Sequence, residues 1–298
     1  MNTKDLQWFQ TICDCKSMTQ ASKVLFVSQQ ALSKCIKNLE QQLDVVLLIR
    51  THNGIEPTQC GRLLYEKSEQ IIKDWNNLTQ DLRSMAHMEK GYLKLCSAYG
   101  ILRILSPDFL FEFEKKYPNR TIDYMEYPDL HVDDEILRGN FDVALRVDGE
   151  VLPGFISVPL FSSSISLLAY KEHPLARKTS VTVMDLKGEE MIIESAAFYI
   201  HHFWRKACTK AGFEPNIIFN TSGFSLCHQL CRQKRGLSLV VERISQDMQQ
   251  SDLVRIPFEV PMIWNVVLSY REELNDYEII QAFQEHTIEW IKAHPDLL

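Results

Sequence analysis

Between Gln29 and Leu43, apolar residues recur at Ala31, Leu32, Cys35, Ile36, Leu39 and Leu43, the three-or-four spacing of one helix face. The other face carries Gln29, Gln30, Ser33, Lys34 and Lys37, all of them hydrogen-bond donors, and Ser28 precedes them as an N-cap. Upstream, Leu6, Trp8, Phe9, Ile12 and Cys13 make a helical stripe over residues 4–15. Ala21, Val24 and Leu25 face inward from a short second helix for which Thr19 is the expected N-cap. Phe26 and Val27 leave only a tight connection to the third helix, which is helix-turn-helix spacing. Residues 47–61 then read as two short strands around His52-Asn53-Gly54, and Asn-Gly is a strong hairpin signal. A hairpin directly after such a triad is a wing.

Thr58 is the expected cap of a long helix running to about His87. Leu64, Ser68, Ile71, Trp75, Leu78, Leu82 and Met85 alternate four and three apart, a heptad seam. A helix about 45 Å long with so narrow a seam suits a second copy of itself better than its own domain. From Tyr92 onward the pattern changes. Short apolar runs such as "LKLCSA", "TIDYME", "DVALRV" and "ISLLAY" alternate with helical stretches at 103–117 and 132–138, which predicts α/β architecture with a largely parallel sheet. A second unit of the same kind has "MIIE", "NIIFN" and "LSLVV" as strands, and the amphipathic stretch 276–294 closes the chain. The expected organisation is an all-α winged helix-turn-helix domain at 1–61, a linker helix at 58–88 and an α/β region at 92–298. Within that region, subdomain I takes about 92–163 plus 264–298, and subdomain II about 164–263.

The 298 residues, 45% hydrophobic and 24% charged, can bury more than one core. A formal net charge of −7 excludes a surface basic all over, so a nucleic-acid site has to be a local patch. Lys4, Asp5, Asp14 and Lys16 interrupt the N-terminal segment where a signal peptide would be apolar, and no apolar run approaches the roughly 20 residues of a membrane span. A cytoplasmic protein is expected, and eight cysteines without a CxxC suit reduced core thiols there. GxSxG, HExxH, P-loop and GxGxxG motifs are all missing, so neither an enzyme nor a cofactor is expected. A stand-alone solute-binding protein would suit residues 92–298 but leaves residues 1–88 without a purpose.

Residues 18–61, "SMTQASKVLFVSQQALSKCIKNLEQQLDVVLLIRTHNGIEPTQCG", carry a pattern that resembles the DNA-binding segment of the LysR-type transcriptional regulators. The matching positions are Ala21, Ser28-Gln29, Ala31-Leu32-Ser33, Ile36, Leu39-Glu40, Leu43, Leu47, Arg50, Thr58 and Gly61. The resemblance implies a homodimer or homotetramer joined by linker helices, an interrupted palindromic operator in double-stranded DNA, RNA polymerase as a further partner for an activator, and effector domains like periplasmic binding proteins. Gln29, Gln30, Ser33 and Lys34 fall where the family contacts base edges; Gln suits adenine and Lys suits guanine. Ser28, Lys37 and Arg50 would hold phosphates. The wing offers His52 and Asn53 where relatives often carry Arg, and Gln30 stands where many have Pro.

Family effectors bind between the two subdomains. By that resemblance the lining would be Ala98, Tyr99, Gly100, Tyr127, Asp129, Arg146 and Ser195 to Phe198 (Ser195, Ala196 and Phe198 among them), with Thr221 and Ser222 closing the site. Arg146 is the expected carboxylate partner, or else an ion-pair partner of Asp148 or Glu150; Asp129 is expected as a helix N-cap. Tyr99 and Gly100 stand where relatives often place small hydroxyl residues. One branch of the family senses peroxide with two thiols; Cys208 matches one position and Phe198 stands at the other. A redox- or metal-responsive regulator using Cys208, or Cys227 and Cys231, is the alternative.

Overall fold

The computed structural model describes residues 2–52, 54–245 and 252–295, which form two compact units, Met1–Arg83 and Ser84–Leu298. In the first unit, α1 (Thr3–Cys15), α2 (Met18–Val24) and α3 (Gln29–Leu43) enclose Phe9, Ile12, Ala21, Leu32, Ile36 and Leu39. Each helix starts on a polar cap that satisfies an orphan backbone N–H. Asn2 and Asp5 form a reciprocal capping box on α1, and Ser28 accepts from Ala31 N at 3.2 Å. The cap of α2 is Ser17, not Thr19; its hydroxyl accepts from Gln20 N, so the helix begins two residues earlier than its apolar spacing suggests.

The hairpin of β1 (Leu48–Thr51) and β2 (Gly54–Pro57) is antiparallel and follows the triad. Glu40 ties it to α3: its Oε1 accepts from Leu47 N at 2.8 Å and Leu48 N at 3.3 Å. Gly54 holds φ +114°, and a Cβ there would sit 2.5 Å from the Lys16 carbonyl, which accepts from Ile55 N. Thr58 donates to Val46 O and caps α4 (Gln59–Met88) by accepting from Gly61 N at 3.0 Å. The family-like positions Glu40, Leu47, Thr58 and Gly61 therefore lock the wing to the triad.

In the second unit, β3 (Tyr92–Ala98) lies between β4 (Thr121–Tyr127) and β5 (Val143–Val147), parallel to both. The helices α5 (Ile101–Leu105), α6 (Asp108–Lys116) and α7 (Asp129–Leu137) connect these strands. The stretch expected as one helix at 103–117 is two, because Pro107 cannot continue the ladder and Ser106 takes φ +69°. The sheet is mixed rather than largely parallel. Its order is β4-β3-β5-β10-β6-β9, with β6 (Phe155–Tyr170) and β10 (Leu253–Arg271) antiparallel to each other and β10 antiparallel to β5. These two long strands run through both halves of the unit, so the limits expected near 163 and 263 fall inside strands rather than in connections. The second half adds β7 (Met191–Glu194) parallel to β8 (Ile217–Thr221), with β9 (Ser238–Val241) on β6 and a Met191–Leu237 bridge joining the two groups. Here α8 (Tyr199–Lys210) and α9 (Phe224–Arg232) cover the strands. The closing helix α10 (Glu278–Ala293) packs Phe283 and His286 on Phe109 and Phe113 of α6.

Candidate nucleic-acid interface and effector cleft

Leu32, Cys35, Ile36 and Leu39 turn one face of α3 into the core, and this fixes what the other face shows. Ser33 and Lys34 lie three and four residues beyond Gln30, and Lys37 four and three beyond them, all along the exposed side, with Ser28 and Gln29 exposed at its start. Gln29 is held in place by its amide, which donates to Thr19 Oγ1 at 3.1 Å. Arg50 and His52 are exposed on the hairpin, whereas Asn53 lies outside the described residues. The triad thus presents amides, a hydroxyl and two ammonium groups on one helix, a set suited to base edges and phosphates.

In the second unit a cleft of about 290 Å³ is lined by Tyr99, Gly100, Arg103, Glu126 and the residues Ser222 to Ser225 that lead into α9, a volume at the small end of ligand sites. It lies between the end of β3 and the start of α9. Gly100 has φ +90°, a conformation strained for any residue with a Cβ, and a Cβ there would push on the end of the Ile244 side chain, whose Cδ1 lies 2.7 Å away. No side chain caps α9 at Gly223, which lines the cleft together with Phe224 and Ser225, and Arg103 Cζ lies 5.9 Å from the Phe224 ring. Glu126 accepts from Tyr124 OH at 2.9 Å, and the same hydroxyl meets Ser97 Oγ at 2.7 Å. Burial pushes the Tyr124 phenol well above its ordinary range, so it stays a donor.

Of the residues expected around this cleft, Tyr99, Gly100 and Ser222 line it, while Ala98 is fully buried behind it. Tyr99 stacks on buried Phe198, centroids 6.2 Å apart, so aromatic carbon fills the space beside the β3 turn. Tyr127 is half-buried against Phe141, and Ser195 and Ala196 sit in the connection before α8. Arg103, Glu126 and Phe224 were missed by the sequence reading. Arg103 sits in a stretch that periodicity assigns to a continuous helix, and the charge of Glu126 gave no sign that its strand end faces α9.

Of the two readings of Arg146, carboxylate partner of an effector or ion-pair partner, the structure shows an internal ion pair. It is 1% exposed, its Nε lies 2.9 Å from Asp133 Oδ1, and its other nitrogens donate to the carbonyls of Val147 and Glu150. Its ion-pair partner is thus Asp133, not Asp148 or a Glu150 carboxylate. Asp129 does cap a helix, but not its own: its Oδ2 accepts from Tyr199 N at 2.8 Å, capping α8 from across the fold. Tyr199 also donates its hydroxyl to Asp133 Oδ2 at 2.6 Å, and its ring leaves no space for a Cβ on Gly149. Burial raises Asp129 and Glu194 to about 7 each, and a neighbouring carboxylate adds to each shift, Asp133 for Asp129 and Asp129 for Glu194.

Burial also pushes the thiols of Cys208, Cys227 and Cys231 up to about 12, which disfavours the thiolate form through which a free cysteine is oxidised. Thr221 is buried and meets Cys227 Sγ at 3.0 Å rather than the cleft. Among the described residues, no three His, Cys, Asp or Glu side chains are grouped to hold a metal ion.

A winged helix-turn-helix followed by a linker helix and a two-part α/β region defines a DNA-binding regulator with a ligand domain. Residues 3–62 match the family model "Bacterial regulatory helix-turn-helix protein, lysR family", and residues 86–292 match "LysR substrate binding domain". The chain belongs to the LysR family: it is a LysR-type DNA-binding transcriptional regulator with an effector-binding domain. It is 29% identical to the uncharacterized HTH-type transcriptional regulator YwbI of Bacillus subtilis (strain 168), over 96% of each chain. Among solved structures, it resembles a Corynebacterium glutamicum OxyR C206 mutant at TM-score 0.61 and 20% identity, covering 99% of this chain and 95% of that one. It also resembles full-length CbnR complexed with its target DNA at TM-score 0.53 and 22% identity, covering 98% of this chain and all of that one. Among the described residues, no helix is long and apolar enough to cross a membrane.

Proposed function

We propose that this regulator works in the cytoplasm as a homodimer or homotetramer, reads an interrupted palindromic operator through α3, and answers a small carboxylate-bearing effector in the cleft at Tyr99. The single observation that supports the effector reading is the joint lining of that cleft by Arg103 and the uncapped first turn of α9, both favourable to an anion. Arg103 takes the role expected of Arg146, whose guanidinium is spent on Asp133. Base contacts fall to Gln29, Gln30, Ser33 and Lys34, and phosphate contacts to Ser28, Lys37, Arg50 and the wing at His52. The seam of α4 joins two chains, since Ile71, Trp75, Leu78 and Leu82 are exposed along it. RNA polymerase is the further partner if the effector activates transcription.

Ligand binding reaches DNA only if the effector favours one arrangement of the partners over another. A thermal-shift screen of small metabolites tests the site directly. A ligand at 100 times its Kd adds about 2.7 kcal/mol of stability. Arg103→Ala removes that shift while leaving operator binding without ligand unchanged. A best hit that is a simple cation, or a full shift in Arg103→Ala, overturns the carboxylate reading and leaves the regulator in place.

A further inference from the structure

Phe26 stands in the turn between α2 and α3 with φ +53°, and it is 94% exposed. Both features are unfavourable for the free chain. A bulky side chain in the left-handed region crowds the following carbonyl, and turns that need this geometry take Gly or Asn without that strain. An exposed phenyl ring also leaves its apolar surface in water. Other described non-glycine residues in this geometry are Lys16, Asp44, Ser106 and Lys234, all polar.

The turn fixes where the ring goes. Leu25 and Val27 both pack against the core of the triad, and Leu25 N, Phe26 N and Val27 N bond back to carbonyls of α2. With its two neighbours turned inward, Phe26 has to project outward. It does so two residues before Ser28, the N-cap of α3, and so at the end of the helix whose first turn carries Gln29 and Gln30. In a helix-turn-helix this N-terminal end is the part that enters the major groove.

We propose that Phe26 is a DNA-contacting residue that reads a thymine methyl group beside the bases met by α3. Apolar contact, including that of Phe, is how a protein recognises this methyl group in the major groove. The occupant is DNA because the exposed ring stands two residues before the start of the helix whose exposed side carries Gln29, Gln30, Ser33 and Lys34. The inference rests on that face being the reading face.

The test uses the full-length chain and a DNA fragment selected by it from a random-sequence pool. Phe26→Asn and Phe26→Gly both suit the left-handed turn and empty no core, so thermal unfolding should stay level or rise. Affinity for the selected fragment should fall about tenfold, equivalent to about 1.4 kcal/mol, while binding to scrambled DNA stays constant. Replacing thymine by uracil, one position at a time, should reproduce the loss at one position per half-site for the native chain. The same replacement should add nothing to Phe26→Asn.

Equal weakening on selected and scrambled DNA, with no sensitive thymine, would mean a backbone contact and would overturn the reading role. Unchanged DNA binding with lost transcriptional output would mean that the ring meets a protein partner, and overturns it too. Gln29→Ala is measured alongside. If it loses discrimination while Phe26→Asn does not, the inference about Phe26 alone falls; if neither variant changes binding, the reading of α3 falls with it.

Discussion

Asp129 opens α7, yet its carboxylate accepts the backbone N–H of Tyr199 at 2.8 Å and so caps α8, seventy residues along the chain. Around this contact lie Asp133, Arg146, Glu194 and the Tyr199 hydroxyl, while the carbonyl of Glu194 meets His201 Nδ1 at 2.9 Å. Asp129 and Glu194 both titrate near 7 when folded and near the ordinary carboxylate range when unfolded. The folded state therefore binds their protons more tightly, and their contribution to stability falls as pH rises from about 4 to about 7. His228, lowered to about 4 by burial, works in the opposite sense over its own window. Asp129→Asn and Glu194→Gln should each flatten the decline, read as the difference from the native chain in urea unfolding across pH 5 to 8. Parallel curves would remove these groups from the linkage.

Arg146→Ala leaves Asp133 buried, with the Tyr199 hydroxyl as its remaining partner among the described residues. Breaking a buried pair by removing one partner costs about 3 to 5 kcal/mol. The expected result is a lower urea midpoint for the variant and a general loss of function, rather than a selective loss of effector response. A variant as stable as the native chain would show that Arg146 is not holding this junction together.

Glu40 supplies one oxygen to two backbone N–H groups at the start of the wing. Glu40→Ala should destabilise the N-terminal unit by about 1 to 3 kcal/mol through unsatisfied donors, and Glu40→Gln should recover part of that because it keeps the acceptor. Amide exchange at Leu47 and Leu48 is the direct readout. Unchanged protection there in Glu40→Ala would deny the tie.

Base and phosphate contacts should separate by residue. Ser33→Ala or Gln30→Ala should cost about 1 to 3 kcal/mol on the operator and little on scrambled DNA. Lys37→Ala should weaken both alike and lower the slope of affinity against salt by about one. Mobility shifts at several salt concentrations distinguish the two patterns, and equal slopes for Lys37→Ala and the native chain would remove its phosphate contact.

Trp75 and Leu78 leave about half their surface exposed on α4. Leu78→Glu or Trp75→Glu should place an unpaired charge in the proposed helix-to-helix contact and give monomers that no longer hold a two-half-site operator. Light scattering at micromolar concentration reads the mass. A Leu78→Glu chain that stays dimeric there would place the seam outside the interface.

The N-terminal triad, the wing and the long helix were legible in the sequence because each rests on local rules: apolar residues at helical spacing, a Ser cap, an Asn-Gly hairpin and an unbroken run after Thr58. The donor face of α3 follows from the same periodicity, since burying Leu32 and Ile36 leaves Gln30, Ser33 and Lys34 outside. Even here, local rules chose Thr19 where Ser17 caps. Tertiary structure decided what spacing cannot encode. The directions of β6 and β10, and hence the mixed sheet, depend on which distant strands pair. The fates of Asp129 and Arg146 depend on α8 arriving beside them from another part of the chain. A carboxylate capping its own helix and one capping another look alike in sequence. Only the packing of α7 against the start of α8 tells them apart, and only the approach of α9 to the end of β3 brings Arg103 and Glu126 together around one cleft.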